Sequence, residues 1–189
     1  MILADWNVFA CKFSGNEQAA FEQFCYLLFC KKYGYEMGIS RYFNNPGIET
    51  NPIAVDGEAI GWQAKYYQVA LSQRRRELID AVDKIHECYP ELTRLVFFCN
   101  RDFGPGSTGP DGVRDPVAKT AIEDHAGRLG IKIEWFLASA FESPFVLLEN
   151  ETIAGHFFSN DPYDGFGLGL RLVGQGKRYL GHIDTSVVI

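Results

Sequence analysis

Glu49, Gln63 and Lys65 are the residues whose types and spacing point to chemistry. They sit on the two arms of one stretch, Gly47 to Tyr67, folded about the pair Asp56-Gly57. Apolar and β-branched residues flanking Asp-Gly are the mark of a β-hairpin. On the second arm Ile60, Trp62, Ala64 and Tyr66 alternate with Gly61, Gln63, Lys65 and Tyr67. One face of that strand is therefore apolar, and the other carries an amide and an ammonium. A carboxylate and a carboxamide oxygen are hard ligands that suit Mg²⁺, which takes few protein ligands and keeps several waters. A metal so held lowers the pKa of a bound water and stabilises charge developing on a phosphate. Lysine can orient or deprotonate that water. The set suits phosphodiester hydrolysis; the alternative is a surface hairpin carrying ordinary polar residues.

Register decides whether the three groups meet, because directly opposed residues share a face. A bare Asp56-Gly57 turn would pair Val55 with Glu58 and set Glu49 opposite Ala64, on the apolar face. An unpaired carboxylate there costs several kcal/mol, roughly. A three-residue loop, Val55-Asp56-Gly57, with glycine in the left-handed position, sets Glu49 opposite Gln63 instead. The expectation is therefore the odd-length loop, or a bulge near Pro52 of the same effect.

These residues resemble a family. Glu49 followed by Gln63-Ala64-Lys65 on a hairpin is similar to the PD-(D/E)XK nuclease superfamily, in its Mrr-like branch, where Gln often replaces the second acid. The nuclease domains at the N-terminus of some bacterial antiphage NTPases show a further likeness. There a preceding helix carries a Phe-Glu pair, here Phe21-Glu22, and the strand reads like Gly61-Trp62-Gln63-Ala64-Lys65-Tyr66. The likeness runs from about Ser14 to Leu137, with Glu49 standing where the family usually has Asp. It implies a restriction-endonuclease-like α/β sandwich, a central mixed β-sheet flanked by helices. It implies a Mg²⁺- or Mn²⁺-dependent endonuclease cutting DNA, double-stranded in the leading reading, as the effector of an antiphage defence protein. The resemblance puts Glu49 and Gln63 on the metal with the Ala64 carbonyl as third ligand, Lys65 on the water, and Glu22 on the metal or its water shell. Arg74 or Arg75 would touch the DNA backbone. The competing expectation is a catalytically inactive interaction or DNA-binding domain on the same fold.

The 189 residues suffice for one domain with a substantial core, and nearly half are hydrophobic, which argues against disorder. A formal net charge of −6 argues against a free-standing, non-specific DNA binder. Affinity for DNA would then come from other domains of a longer protein or from oligomerisation. The cysteines (Cys11, Cys25, Cys30, Cys88, Cys99) are odd in number and contain no C-x-x-C pair, so neither disulfides nor zinc is expected. No apolar run is long enough to cross a bilayer, and the N-terminus lacks the pattern of a secretory signal. No membrane partner is expected, and the cytoplasm is the expected compartment.

The remaining elements must position the hairpin. Ser14-Gly-Asn-Glu17 predicts a capping box opening a buried helix that runs to about Lys32. Glu22 on that helix is either a further ligand or a partly exposed helical acid. Tyr33 to Pro46 reads as a loop whose Asn-Asn-Pro-Gly turn feeds the hairpin. Ser72 caps a helix to about Tyr89, with Arg75 in its apolar stripe. Arg74-Arg75-Arg76 either meets a phosphate or forms a solvated patch pairing with Glu77 or Asp80. Arg94 to Asn100 is a buried strand, and Phe103 to Gly112 is a Gly-Pro-rich surface loop without the ending of a phosphate-binding P-loop. Asp115-Pro116 opens a helix to Leu129, Ile131 to Leu137 is the last strand, and Ser143-Pro144 opens a short helix. Helix-linked strands are expected to run parallel. Residues 1–155 would form the nuclease-like domain. Residues 156–189, rich in glycine, read as an extension or linker truncated from a longer chain.

Overall fold

Four strands make the central sheet in the order β1-β2-β3-β6, formed by Ile53–Val55, Glu58–Lys65, Arg94–Cys99 and Lys132–Phe136. The computed structural model describes residues 3–40, 47–106, 108, 109, 112, 113 and 115–159. β1 runs antiparallel to β2, whereas β2, β3 and β6 are parallel. Helices α3 (Arg75–Cys88) and α4 (Val117–Arg128) make the two crossovers. Both pack on one face, over Leu95, Phe97 and Ile131. On the other face lie α2 (Glu17–Lys32) and α5 (Glu151–Phe158), over Trp62, Val96 and Phe98. The expected α/β architecture, a mixed sheet between helical layers, is present.

Sequence patterning explains most of these elements. β3 is buried on both sides from Leu95 to Cys99, as an apolar run between helical layers must be. In β2, Ile60, Trp62 and Ala64 enter the α2 core, while Gly61 faces the other way. A Cβ on Gly61 would stand 2.9 Å from Leu92 and 3.3 Å from Ile48, so glycine lets those two side chains close over the strand.

Several boundaries differ from expectation for local reasons. Asp5 accepts from the N–H groups of Asn7 and Val8, at 2.8 and 3.3 Å, and starts a further helix, α1 (Trp6–Lys12). Its Trp6 and Phe9 join an aromatic cluster with Phe21, Phe141 and Phe158. The capping box at Ser14 does not form; α2 begins after Asn16, which makes no side-chain cap. A 3₁₀ turn, Leu71–Arg74, precedes α3, so Ser72 is not its cap. The stripe of α3 is Leu78, Val82 and Ile85, and Arg75 lies exposed outside it. Asp115 instead pairs with Lys119 at 2.9 Å. The Gly-Pro-rich stretch contains a short ladder, β4 (Thr108–Gly109) against β5 (Gly112–Val113). α5 continues past residue 155, with His156, Phe157 and Phe158 buried; residues 160–189 lie outside the described ones. Of the Asn-Asn-Pro-Gly turn, only Gly47 is described.

Candidate functional site

The hairpin turn has two residues, which corrects the expected three. Asp56 and Gly57 both take positive φ, 49° and 83°, and Val55 stands opposite Glu58. Such a turn twists with the strands it joins, and Asp-Gly is the pair that adopts it most readily. Nor does a bulge restore the expected parity. Pro52 has no N–H to offer the ladder, and β1 begins only at Ile53. Upstream of it the Glu49 N–H donates to the Trp62 carbonyl at 3.0 Å. The β1 register would have brought Asn51 there, so the slip is an even two residues. Thr50 uses the slack, accepting from the Trp62 indole at 3.0 Å.

Glu49 escapes the apolar face by another route. Its Oε1 accepts the N–H of Ala64 at 3.3 Å, so the carboxylate rests against the peptide joining Gln63 to Ala64. Gln63 and Lys65 lie beside Phe97 and Cys99 of β3, and paired residues of parallel strands share a face. Both therefore turn toward α3. Burial drives the Cys99 thiol well above its usual range, and the Lys65 ammonium pulls it partly back. Gln63 is only 7% exposed, and its buried Oε1 has no hydrogen-bond partner among the described residues. An unsatisfied buried acceptor costs about 1–3 kcal/mol, so this one calls for a partner. Lys65 has no ion pair among the described residues either.

On the opposite face α2 runs past the edge of β2. Gln18 Nε2 donates to the Ala64 carbonyl at 3.0 Å, and Gln18 Oε1 accepts the Tyr66 N–H at 2.9 Å. Burial raises the Cys25 thiol first, with Cys99 and then Glu49 adding to the shift. Gln18, Glu22 and Cys25 are spaced by four and three residues and share one face of α2. Glu22 thus belongs to the row that faces Glu49 and the strand edge. The expected set is divided: Glu22 and Glu49 approach from the α2 side, Gln63 and Lys65 from the α3 side, with the Ala64 peptide between. The three polar groups do not converge on one sheet face, as the odd-length loop required. An ion reached by both Glu49 and Gln63 must lie at the strand edge.

Beyond Lys65, β2 is tied to β3 by residues that sequence reasoning passed over. Asn100 accepts from the Tyr67 N–H at 2.6 Å and donates to the Tyr67 carbonyl at 3.0 Å. Arg101 Nε donates to the same carbonyl at 3.1 Å. The Tyr67 hydroxyl donates to Glu77 at 2.9 Å, and burial, followed by Glu77, pushes the phenol far up. Arg74 lies over the Tyr67 ring at 5.4 Å and pairs with Glu77 at 3.5 Å. Only the polar type of Asn100-Arg101 at a strand end could have flagged them.

Among the described residues no three His, Cys, Asp or Glu side chains are grouped to hold a metal. A Mg²⁺ ion needs no such group, since it accepts amide and main-chain oxygens and keeps waters. The uncommitted Gln63 Oε1, the Glu49 carboxylate and the second lone pair of the Ala64 carbonyl fit that donor chemistry. No helix among the described residues is long and apolar enough to cross a membrane. No family model matches the chain, and no curated protein matches it.

Proposed function

We propose that the chain is a Mg²⁺- or Mn²⁺-dependent endonuclease that hydrolyses phosphodiester bonds of DNA on a restriction-endonuclease-like fold. One observation carries the reading: a buried amide oxygen without a partner, Gln63 Oε1, on a residue whose peptide to Ala64 already touches the Glu49 carboxylate. Glu49 and Gln63 would hold the metal, with Ala64 contributing its carbonyl and Glu22 the surrounding waters. When bound, the ion activates water and offsets charge on the phosphate. Lys65, two residues from Gln63 on the same face, orients that water and receives or releases its proton. The resemblance to antiphage nuclease domains supports DNA as substrate and a role as the effector of a larger, oligomeric defence protein in the cytoplasm. The net charge of −6 supports weak intrinsic affinity for DNA, from a few local contacts of this domain, raised by partners in a larger assembly.

A second reading has its own observation. Gln18 already satisfies the Ala64 carbonyl and the Tyr66 N–H, as it would in a sealed, non-catalytic interaction module. Supercoiled plasmid incubated with Mn²⁺ separates the two. The nuclease reading expects nicking by the wild type and loss of it in Lys65→Ala. Equal cutting by both removes Lys65 from the mechanism, and no cutting by either favours the module.

A further inference from the structure

Three features converge at the C-terminal ends of β2 and β3, beside the proposed site. Lys65 and Cys99 are paired in register, and Arg101 lies two residues past Cys99. Arg101 does not swing freely, because its Nε is fixed on the Tyr67 carbonyl at 3.1 Å. That carbonyl is itself immobilised by Asn100, which grips both polar groups of the Tyr67 backbone. A guanidinium anchored through Nε has both terminal nitrogens left to bind, and these have no partner among the described residues. Its charge is felt by Tyr66, whose hydroxyl it eases downward against the upward pull of burial. Arg74, over the Tyr67 ring, adds a second cation to the same rim. Of the acids near this rim, Glu77 is engaged by Tyr67 and Arg74 and Asp102 by Ser139, while Glu17 acts on Tyr66 in the opposite sense to Arg101.

We propose that Arg101 is the phosphate clamp of this site, holding a backbone phosphate of duplex DNA next to Lys65. The inference rests on the nuclease reading and names how its substrate is positioned. A planar fork with a fixed root suits a phosphodiester, because two parallel N–H groups meet two non-bridging oxygens with little ordering left to do. Lysine at the same place would keep the charge and lose the fork. Arg101 touches the substrate away from the reacting bond, so its loss should raise KM more than it lowers kcat.

The test is binding of a short fluorescent DNA duplex to the full chain, with Ca²⁺ replacing Mg²⁺ and salt varied, followed by plasmid cleavage with Mn²⁺. Arg101→Gln should weaken binding about tenfold and reduce the salt slope by about one, while Mn²⁺ binding stays unchanged. Arg101→Lys should recover the slope but only part of the affinity. Arg128→Gln, an equal change of charge on the exposed end of α4, should bind as the wild type does. Cleavage by the wild type with unaltered binding and KM in Arg101→Gln overturns the clamp and leaves the nuclease reading standing. Equal weakening in Arg128→Gln also overturns it, since the effect would be net charge. A wild type that neither binds nor cuts overturns both. Should Arg101→Gln fail to fold, Arg101→Lys decides: full affinity in that variant contradicts the fork.

Discussion

Gln18 closes the edge of β2 at Ala64, donating to its carbonyl at 3.0 Å and accepting the next outward-facing N–H, from Tyr66, at 2.9 Å. A side-chain amide thus does what a neighbouring strand would do, where the Glu49 segment has already left the ladder. The carbonyl it holds is the one expected to serve as a third metal ligand.

Gln18→Leu removes both bonds and should cost about 1 kcal/mol, modest because water can replace the amide at this exposed site. If the Ala64 carbonyl is a ligand, the same variant should bind Mn²⁺ more tightly. Urea unfolding and calorimetry read the two effects separately. Unchanged stability would mean that the edge is not held by this residue.

Gly57→Ala should destabilise by about 1 kcal/mol or more, because Gly57 sits at φ 83° in a tight turn. Asp56→Asn, at φ 49°, should be near neutral, since asparagine tolerates that region. Urea midpoints check both. An unaffected Gly57→Ala would contradict the two-residue turn and reopen the register.

Thiol reactivity should follow burial. Cys11 and Cys88 are exposed, while Cys25, Cys30 and Cys99 are buried and all three thiols are raised by desolvation. Ellman's reagent should titrate the first pair in the native protein and all five only in denaturant. Rapid native reaction of Cys99 would show that the end of β3 is open to solvent.

The architecture was readable because its signals are local. Apolar periodicity and the Asp-Gly turn are written in adjacent residues, so the order helix, hairpin, helix, strand, helix, strand follows from short windows. The register is not legible in the same way, because Glu49 need not choose a sheet face. The chain instead breaks the ladder at Pro52, loops out two residues and gives the carboxylate a main-chain N–H. Gln18 and Arg101 act across 46 and 34 positions, at Ala64 and Tyr67, and nothing in their own neighbourhoods announces such partners. α1 was more accessible: Asp5 ahead of Trp6-Asn-Val-Phe9 is a cap followed by a helical apolar pair.

Alkaline pH should destabilise the fold through its buried phenols. Burial raises Tyr33 from 10.0 to about 12 and lifts Tyr67 further, so the native state keeps protons that the unfolded chain releases. Below pH 10 both states are neutral and nothing changes. As pH rises from there toward 12, stability falls. Tyr33→Phe should flatten that decline, as read from urea midpoints against pH. An unchanged slope would mean that Tyr33 titrates as it does in the unfolded chain.

Calorimetric titration with Mn²⁺ tests most directly whether Glu49 and Gln63 share one ion across the edge of β2. The account predicts a single saturable site per chain, weakened at least about tenfold in Glu49→Gln and in Gln63→Leu alike. No saturable site in the wild type, or undiminished binding in both variants, would contradict it.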